Sequence, residues 1–163
     1  MSNTGYSKVQ IVLHWAITLL VIQQVVLHEG IVEFSEALRT GGTTTAVQLL
    51  MTRMHVLLGL LVFILAITRV WARIKYKAPP PAENEKPVLI MLSRLTHLAL
   101  YVVVLLMPIS GSLAWFGELE IAAKGHGIAK FVLVAFVLLH VVGALYHHFV
   151  LKDNIMKRML RAE

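Results

Sequence analysis

The chain has 163 residues, 58% apolar and 15% charged, with a formal net charge of +6 and a mean hydropathy of +0.75. Soluble domains carry about 25% charged and 45–50% apolar residues, so this composition excludes a disordered chain, a collagen-like chain and an ordinary soluble enzyme, and points to a membrane protein. No cysteine is present, which excludes disulfides, iron–sulfur clusters, c-type haem attachment and thiolate chemistry.

A membrane-spanning helix takes about 20 residues, so four spans and their connections fill the chain. The expectation is an all-α, integral membrane four-helix bundle, with 1–163 as a single domain. The first ten residues lack a basic region ahead of a small-residue cleavage site, so the apolar run at about 11–27 reads as a retained span rather than a signal peptide. A polar stretch at about 28–48, holding Glu29, Glu33, Glu36 and the run GGTTT, reads as a loop. The second span lies at about 54–70. The segment ARIKYKAPPPAENEKP follows as a linker, because its three prolines favour an extended chain and stop a helix. The third span, about 92–115, contains Pro108, which removes a helical hydrogen bond and is expected to kink it. The short loop FGELEIAAKG leads to the fourth span at about 127–151, and a basic tail closes the chain.

Eleven of the fifteen lysines and arginines fall on the side shared by the first residues, the linker and the tail. By the positive-inside rule both termini are expected in the cytoplasm. The basic residues are not interleaved with aromatics along a polar helix, so the charge reads as orienting the protein in a bilayer, and no nucleic-acid partner is expected.

The eight histidines are the chemically informative residues, since most lie inside apolar runs, where ionisable side chains are costly and usually functional. His126 and His140 are 14 residues apart, nearly four helical turns, so they share a face about 21 Å apart in height. By position in the spans, His55 shares a level with His126, and His14 shares one with His140. Two imidazoles from facing helices can hold one metal centre, and two such centres, one above the other, make an electron path across the bilayer. Zinc prefers three or four clustered ligands, and a di-metal site needs core carboxylates that the spans lack. Paired imidazoles in apolar surroundings suit haem b with both axial positions filled, which favours electron transfer over oxygen binding. Gly59, Gly111 and Gly143 are candidates to let a flat macrocycle approach, with close helix packing as their other reading. His97 and His147 are candidates for a polar pocket beside the inner centre. His28 reads as a loop residue at the outer surface.

Four stretches carry a specific resemblance: YSKVQIVLHW, MTRMHVLLGLLVFILAITRVWAR, LTHLALYVVVLLMPISG and HGIAKFVLVAFVLLHVVGALYHHFVLKDN. On these the chain resembles the bacterial cytochrome b561 family over nearly its whole length. It is also similar to the cytochrome b subunits of membrane formate dehydrogenases and nickel–iron hydrogenases. The resemblance implies two haem b groups, with His14 and His140 as axial ligands of the cytoplasmic-side haem and His55 and His126 of the outer one. His97, near the level of His14, stays open as an alternative ligand of the inner haem. The resemblance also implies a ubiquinone site beside that haem, for which His97 and His147 are the candidates. A histidine there can hydrogen-bond the quinone carbonyl and relay a proton. Arg69 and Arg73 are candidates to hold haem propionates or a quinone head group, with snorkelling and membrane anchoring as the alternative.

The expected function is that of a multi-pass cytochrome of the bacterial inner membrane, carrying electrons between a periplasmic donor and the ubiquinone pool. Some members of the family it resembles oxidise superoxide, and Arg53, Lys124 and Lys130 are candidates to attract such an anion. The resemblance thus implies a quinone-linked oxidoreductase. The alternative is a membrane anchor and electron conduit for a partner dehydrogenase, hydrogenase or c-type cytochrome, with Glu29, Glu33 and Glu36 as a docking surface.

Overall fold

A computed structural model describes residues 5–81 and 85–162. Four long helices run in chain order: α1 (Lys8–Thr40), α2 (Ala46–Tyr76), α3 (Pro87–Trp115) and α4 (Glu120–Tyr146). A π-helical turn, His147–Leu151, continues α4, and a four-residue helix, α5 (Ile155–Arg158), ends the fold. All four long helices are long and apolar enough to cross a membrane, and no strand occurs among the described residues.

The first span corrects the expected loop at 28–48. Helix α1 runs to Thr40, and only 41–45 separate it from α2. At 1.5 Å per residue α1 is about 50 Å long, well beyond the roughly 30 Å hydrocarbon layer. The polar residues after His28 therefore extend the helix past the apolar zone instead of ending it. The actual stop is Gly41, whose φ of +70° is the left-handed conformation that glycine adopts without penalty, and whose N–H reaches back to the Ala37 and Leu38 carbonyls. Reciprocal caps open both helices of this pair. The Gln10 amide donates to the Ser7 hydroxyl while the Gln10 side chain accepts from the Ser7 N–H, and Gln48 and Thr45 repeat the exchange. Pro87 starts α3, where its missing N–H costs nothing. Helix α3 continues through Pro108 without a break.

Helix α1 packs along α2 and α3 along α4, giving two hairpins joined by a narrower α2–α3 contact. Helix α4 makes no comparable close packing with α1 or α2 among the described residues. The tightest approach between α1 and α2 is at Gly30, where a Cβ would lie 2.5 Å from the Met51 Cβ. Few apolar residues are buried, among them Leu13, Ile17, Val62 and Leu133, while a broad belt including Val12, Leu19, Ile64, Val102 and Leu138 is exposed. An exposed apolar belt of this extent matches a lipid-facing surface.

Three long-range bonds gather the two chain ends and the α2–α3 linker at one end of the bundle. Gln10 Nε2 donates to the Lys77 carbonyl (2.9 Å), Arg158 Nη1 to that of Pro80 (2.8 Å), and Trp15 Nε1 to that of Met159 (3.0 Å). We call this the linker end. The two short connections, 41–45 and 116–119, lie at the opposite, loop end.

Candidate functional site

The histidines sort into two levels. Towards the linker end, the rings of His14 on α1 and His140 on α4 have centroids 6.1 Å apart and cross at 74°. His97 on α3 also approaches His140, at 5.1 Å and 80°. Towards the loop end, His55 on α2 and His126 on α4 are 6.4 Å apart and cross at 72°. His28 on α1 lies 6.4 Å from His55. The expectation of a surface loop residue is therefore corrected. His28 is helical and adjoins the loop-end pair because it follows His14 by 14 residues, the same near-integral number of turns that separates His126 from His140. That spacing was the signal available in the sequence.

The His126 ring is set by α3. Its Nδ1 donates to the Met107 carbonyl at 3.0 Å and lies 3.2 Å from the Ser110 hydroxyl. A carbonyl can only accept, so Nδ1 carries the proton and Nε2 keeps its lone pair, the usual arrangement for a metal-binding imidazole. Gly111 makes the bed for this ring, since a Cβ there would lie 3.1 Å from Cε1 and 3.3 Å from Nδ1. By contrast, a Cβ on Gly143 would meet nothing within 4 Å, and one on Gly59 only the Gln24 Oε1 at 3.8 Å. Neither is a helix-packing glycine. His97 is fixed likewise, its Nδ1 lying 2.6 Å from the Ser93 carbonyl one turn back.

Two imidazoles on opposite sides of one metal, with bonds of about 2.0–2.1 Å and about 1 Å from nitrogen to ring centre, place their centroids about 6 Å apart. The 6.1 Å and 6.4 Å pairs fit that span, while His97–His140 at 5.1 Å is short of it. Each fitting pair joins two helices that are not close-packed on each other. Near the loop-end pair, Gln24 Nε2 and Thr52 Oγ1 are buried without a hydrogen-bond partner. His55 Nδ1 is buried too, with the Gln24 backbone beside it but no hydrogen bond of full geometry. No cluster of three or more histidine, aspartate and glutamate ligands suited to a bare metal ion occurs among the described residues. The donor set is paired imidazoles alone, which fits haem.

At the linker end, Arg69 donates to the Gln10 carbonyl at 2.8 Å. Arg69 and Arg73 both lean on the Tyr101 ring, at 6.0 Å and 5.8 Å, in a small cleft completed by Tyr6 and Gln10. His147 is buried on the π-helical turn. Its Nδ1 faces Asp153 Oδ2 at 2.5 Å, and its Nε2 lies 3.4 Å from Glu85 Oε1. Asp153 reaches back because Lys152 turns left-handed at φ +54°, and its second oxygen caps the Ile155 N–H. Among the described residues no ring or polar contact joins His147 to another histidine. Gln10, Asp153 and Glu85 are site neighbours that the sequence did not single out.

Residues 5–162 match the family described as prokaryotic cytochrome b561. The chain belongs to that family. It is 34% identical to cytochrome b562 of Cereibacter sphaeroides over 157 residues, covering 96% of each chain. It is 28% identical to the probable superoxide oxidase CybB of Yersinia pestis over 176 residues, covering 95% of each, and to cytochrome b561 homolog 1 of Escherichia coli over 181 residues. As a cytochrome b561 family member it is a haem-binding, multi-pass membrane protein of bacterial electron transfer.

Proposed function

We propose that this cytochrome holds two haem b groups in the bacterial inner membrane and passes electrons between a donor at the loop end and ubiquinone at the linker end. The observation that carries this reading is the pair of ring separations, 6.1 Å and 6.4 Å, at two levels of one bundle. They support His14 with His140, and His55 with His126, as the pairs that would hold the two haems. The shorter His97–His140 distance favours His14 over His97 as the partner of His140. When bound, haem supplies a one-electron carrier whose potential is tuned by its ligands and surroundings.

The remaining residues have distinct tasks. Met107 and Ser110 hold the His126 ring, and Gly111 gives it room. Arg69 and Arg73 offer positive charge for a propionate or a quinone head group. His97, anchored through Nδ1, keeps Nε2 as an acceptor for a quinol hydroxyl, and donates from it to a quinone carbonyl when the ring is protonated. His147, between Asp153 and Glu85, can hold a proton at either ring nitrogen, and quinone reduction consumes two. Both termini and the linker then face the cytoplasm, in keeping with the excess of lysine and arginine at that end.

Superoxide is the donor suggested by the likeness to the Yersinia pestis protein. The test is a reduced-minus-oxidised spectrum of the purified protein with haem quantitation, followed by addition of superoxide and then quinone. Two haems per chain, reduced by superoxide and reoxidised by ubiquinone, are expected. One haem, or none in a folded preparation, would overturn the two-centre reading.

One observation favours a second reading. Glu29, Glu33 and Glu36 are exposed on the loop-end turns of α1, at spacings that put them on one helix face. Such a face suits a cationic redox partner, such as a c-type cytochrome. Haems that ignore superoxide but are reduced by the partner would favour the conduit.

A further inference from the structure

Helix α4 carries a lysine inside its membrane-spanning segment. Lys130 lies one turn after His126, is half-buried, and directs its Nζ to His28 Nε2 on α1 at 2.8 Å. An ammonium has three donors and no acceptor, so His28 takes this bond with its lone pair and brings no balancing charge. The Phe131 ring, 4.9 Å from Nζ, adds a weak contact. Among the described residues no carboxylate lies within 4.0 Å of Lys130. The nearby charges are otherwise placed: Glu120 is paired with Lys124 at 2.8 Å, while Glu29 and Arg53 are exposed. A cation within a span is costly and normally meets an anion or escapes to the interface. Here it is instead bridged to a neutral ring that itself sits 6.4 Å from His55, at the level of the outer histidine pair.

We propose that Lys130 and His28 form a clamp for a carboxylate or other small oxyanion beside the His55–His126 pair. This inference rests on haem binding at that pair. The clamp also bridges α1 to α4, which otherwise make no close packing. Two sources share the chemistry: the carboxylates of the bound haem, and a diffusible anionic donor.

The experiment uses the full chain in detergent, as wild type, Lys130→Gln and Lys130→Arg. Haem-free protein, with His14→Ala added to each version so that only the loop-end pair can fill, is titrated with haem and with its dimethyl ester by absorbance. The haem-loaded protein is then reduced by ascorbate, an anion, and by hexaammineruthenium, a cation, at two salt concentrations. If the haem carboxylates fill the clamp, wild type prefers haem to its ester by about ten-fold or more, Lys130→Gln erases the preference, and Lys130→Arg restores it. If a diffusible anion fills it, haem and ester bind alike, and Lys130→Gln slows ascorbate several-fold while leaving the ruthenium rate unchanged. Should Lys130→Gln fail to fold, wild type still decides: no ester discrimination together with an ascorbate rate insensitive to salt overturns the clamp. Unchanged binding and rates in a folded Lys130→Gln also overturn it. A wild-type chain that binds neither haem nor ester overturns the haem reading and the clamp together, and its absorbance distinguishes that case from failure of the clamp alone.

Discussion

His126 on α4 and Met107 on α3 are joined by a 3.0 Å hydrogen bond from the imidazole Nδ1 to the backbone carbonyl. The bond fixes which nitrogen is bare, and it uses a carbonyl that immediately precedes Pro108. Ser110 and Gly111 complete the seat on the same turn.

Gly111→Ala is expected to disturb only the proposed loop-end centre. The new Cβ would sit 3.1 Å from the His126 Cε1, so the ring must shift. Overpacking of this kind costs about 1–3 kcal/mol. Haem quantitation should show partial loss at the His55–His126 level, with the second haem retained and its spectrum unchanged.

His55→Ala and His126→Ala should each remove one haem and keep the other, while His14→Ala and His140→Ala should remove the other one. The reduced-minus-oxidised spectrum would report about half the wild-type amplitude in each case. Two retained haems in any of the four variants would break the pairing.

His97→Ala is expected to retain both haems yet slow quinone reduction by about 10²-fold or more, the scale of a lost acid–base or hydrogen-bonding group. Stopped-flow reoxidation of the reduced protein by ubiquinone measures this. Loss of the linker-end haem would instead assign His97, 5.1 Å from His140, as the ligand.

Much of this arrangement was legible in the sequence, for identifiable reasons. The four apolar runs are long enough that hydropathy alone locates them, and His-x13-His on one helix sets two levels before any contact is known. Helix length beyond the apolar zone was not legible. The residues after His28 are polar because they leave the hydrocarbon, and polarity there reads equally as loop or as helix. For that reason the sequence alone reads His28 as a loop residue, where the structure has a helix. The linker-end contacts were also hidden, since Gln10 with Lys77 and His147 with Glu85 are pairings across more than sixty residues. They depend on the path taken by a proline-rich segment that has no periodicity to read. The π-helical turn that swings Asp153 under His147 has no sequence signature at all.

Asp153→Ala should loosen the linker end. It strips the Ile155 N–H of its cap and leaves one face of a buried imidazole unpaired, a loss of about 1–3 kcal/mol. Limited trypsinolysis in detergent should cut sooner at Lys77, and thermal unfolding by circular dichroism should begin at a lower temperature. Both haems should stay in place, because His147 is not one of the proposed ligands.

The division into two hairpins bears on how the protein is made. Residues 41–45 and 116–119 are tight reversals, so α1–α2 and α3–α4 each form a local unit that can enter the bilayer as it leaves the ribosome. His14 and His55 belong to the first unit, His126 and His140 to the second. Neither proposed pair exists until the second unit has been translated and has docked on the first. On the proposed pairing, cofactor capture is a late, post-insertion event, and two separately expressed halves, cut within the linker, should find each other in the membrane only when haem synthesis is intact.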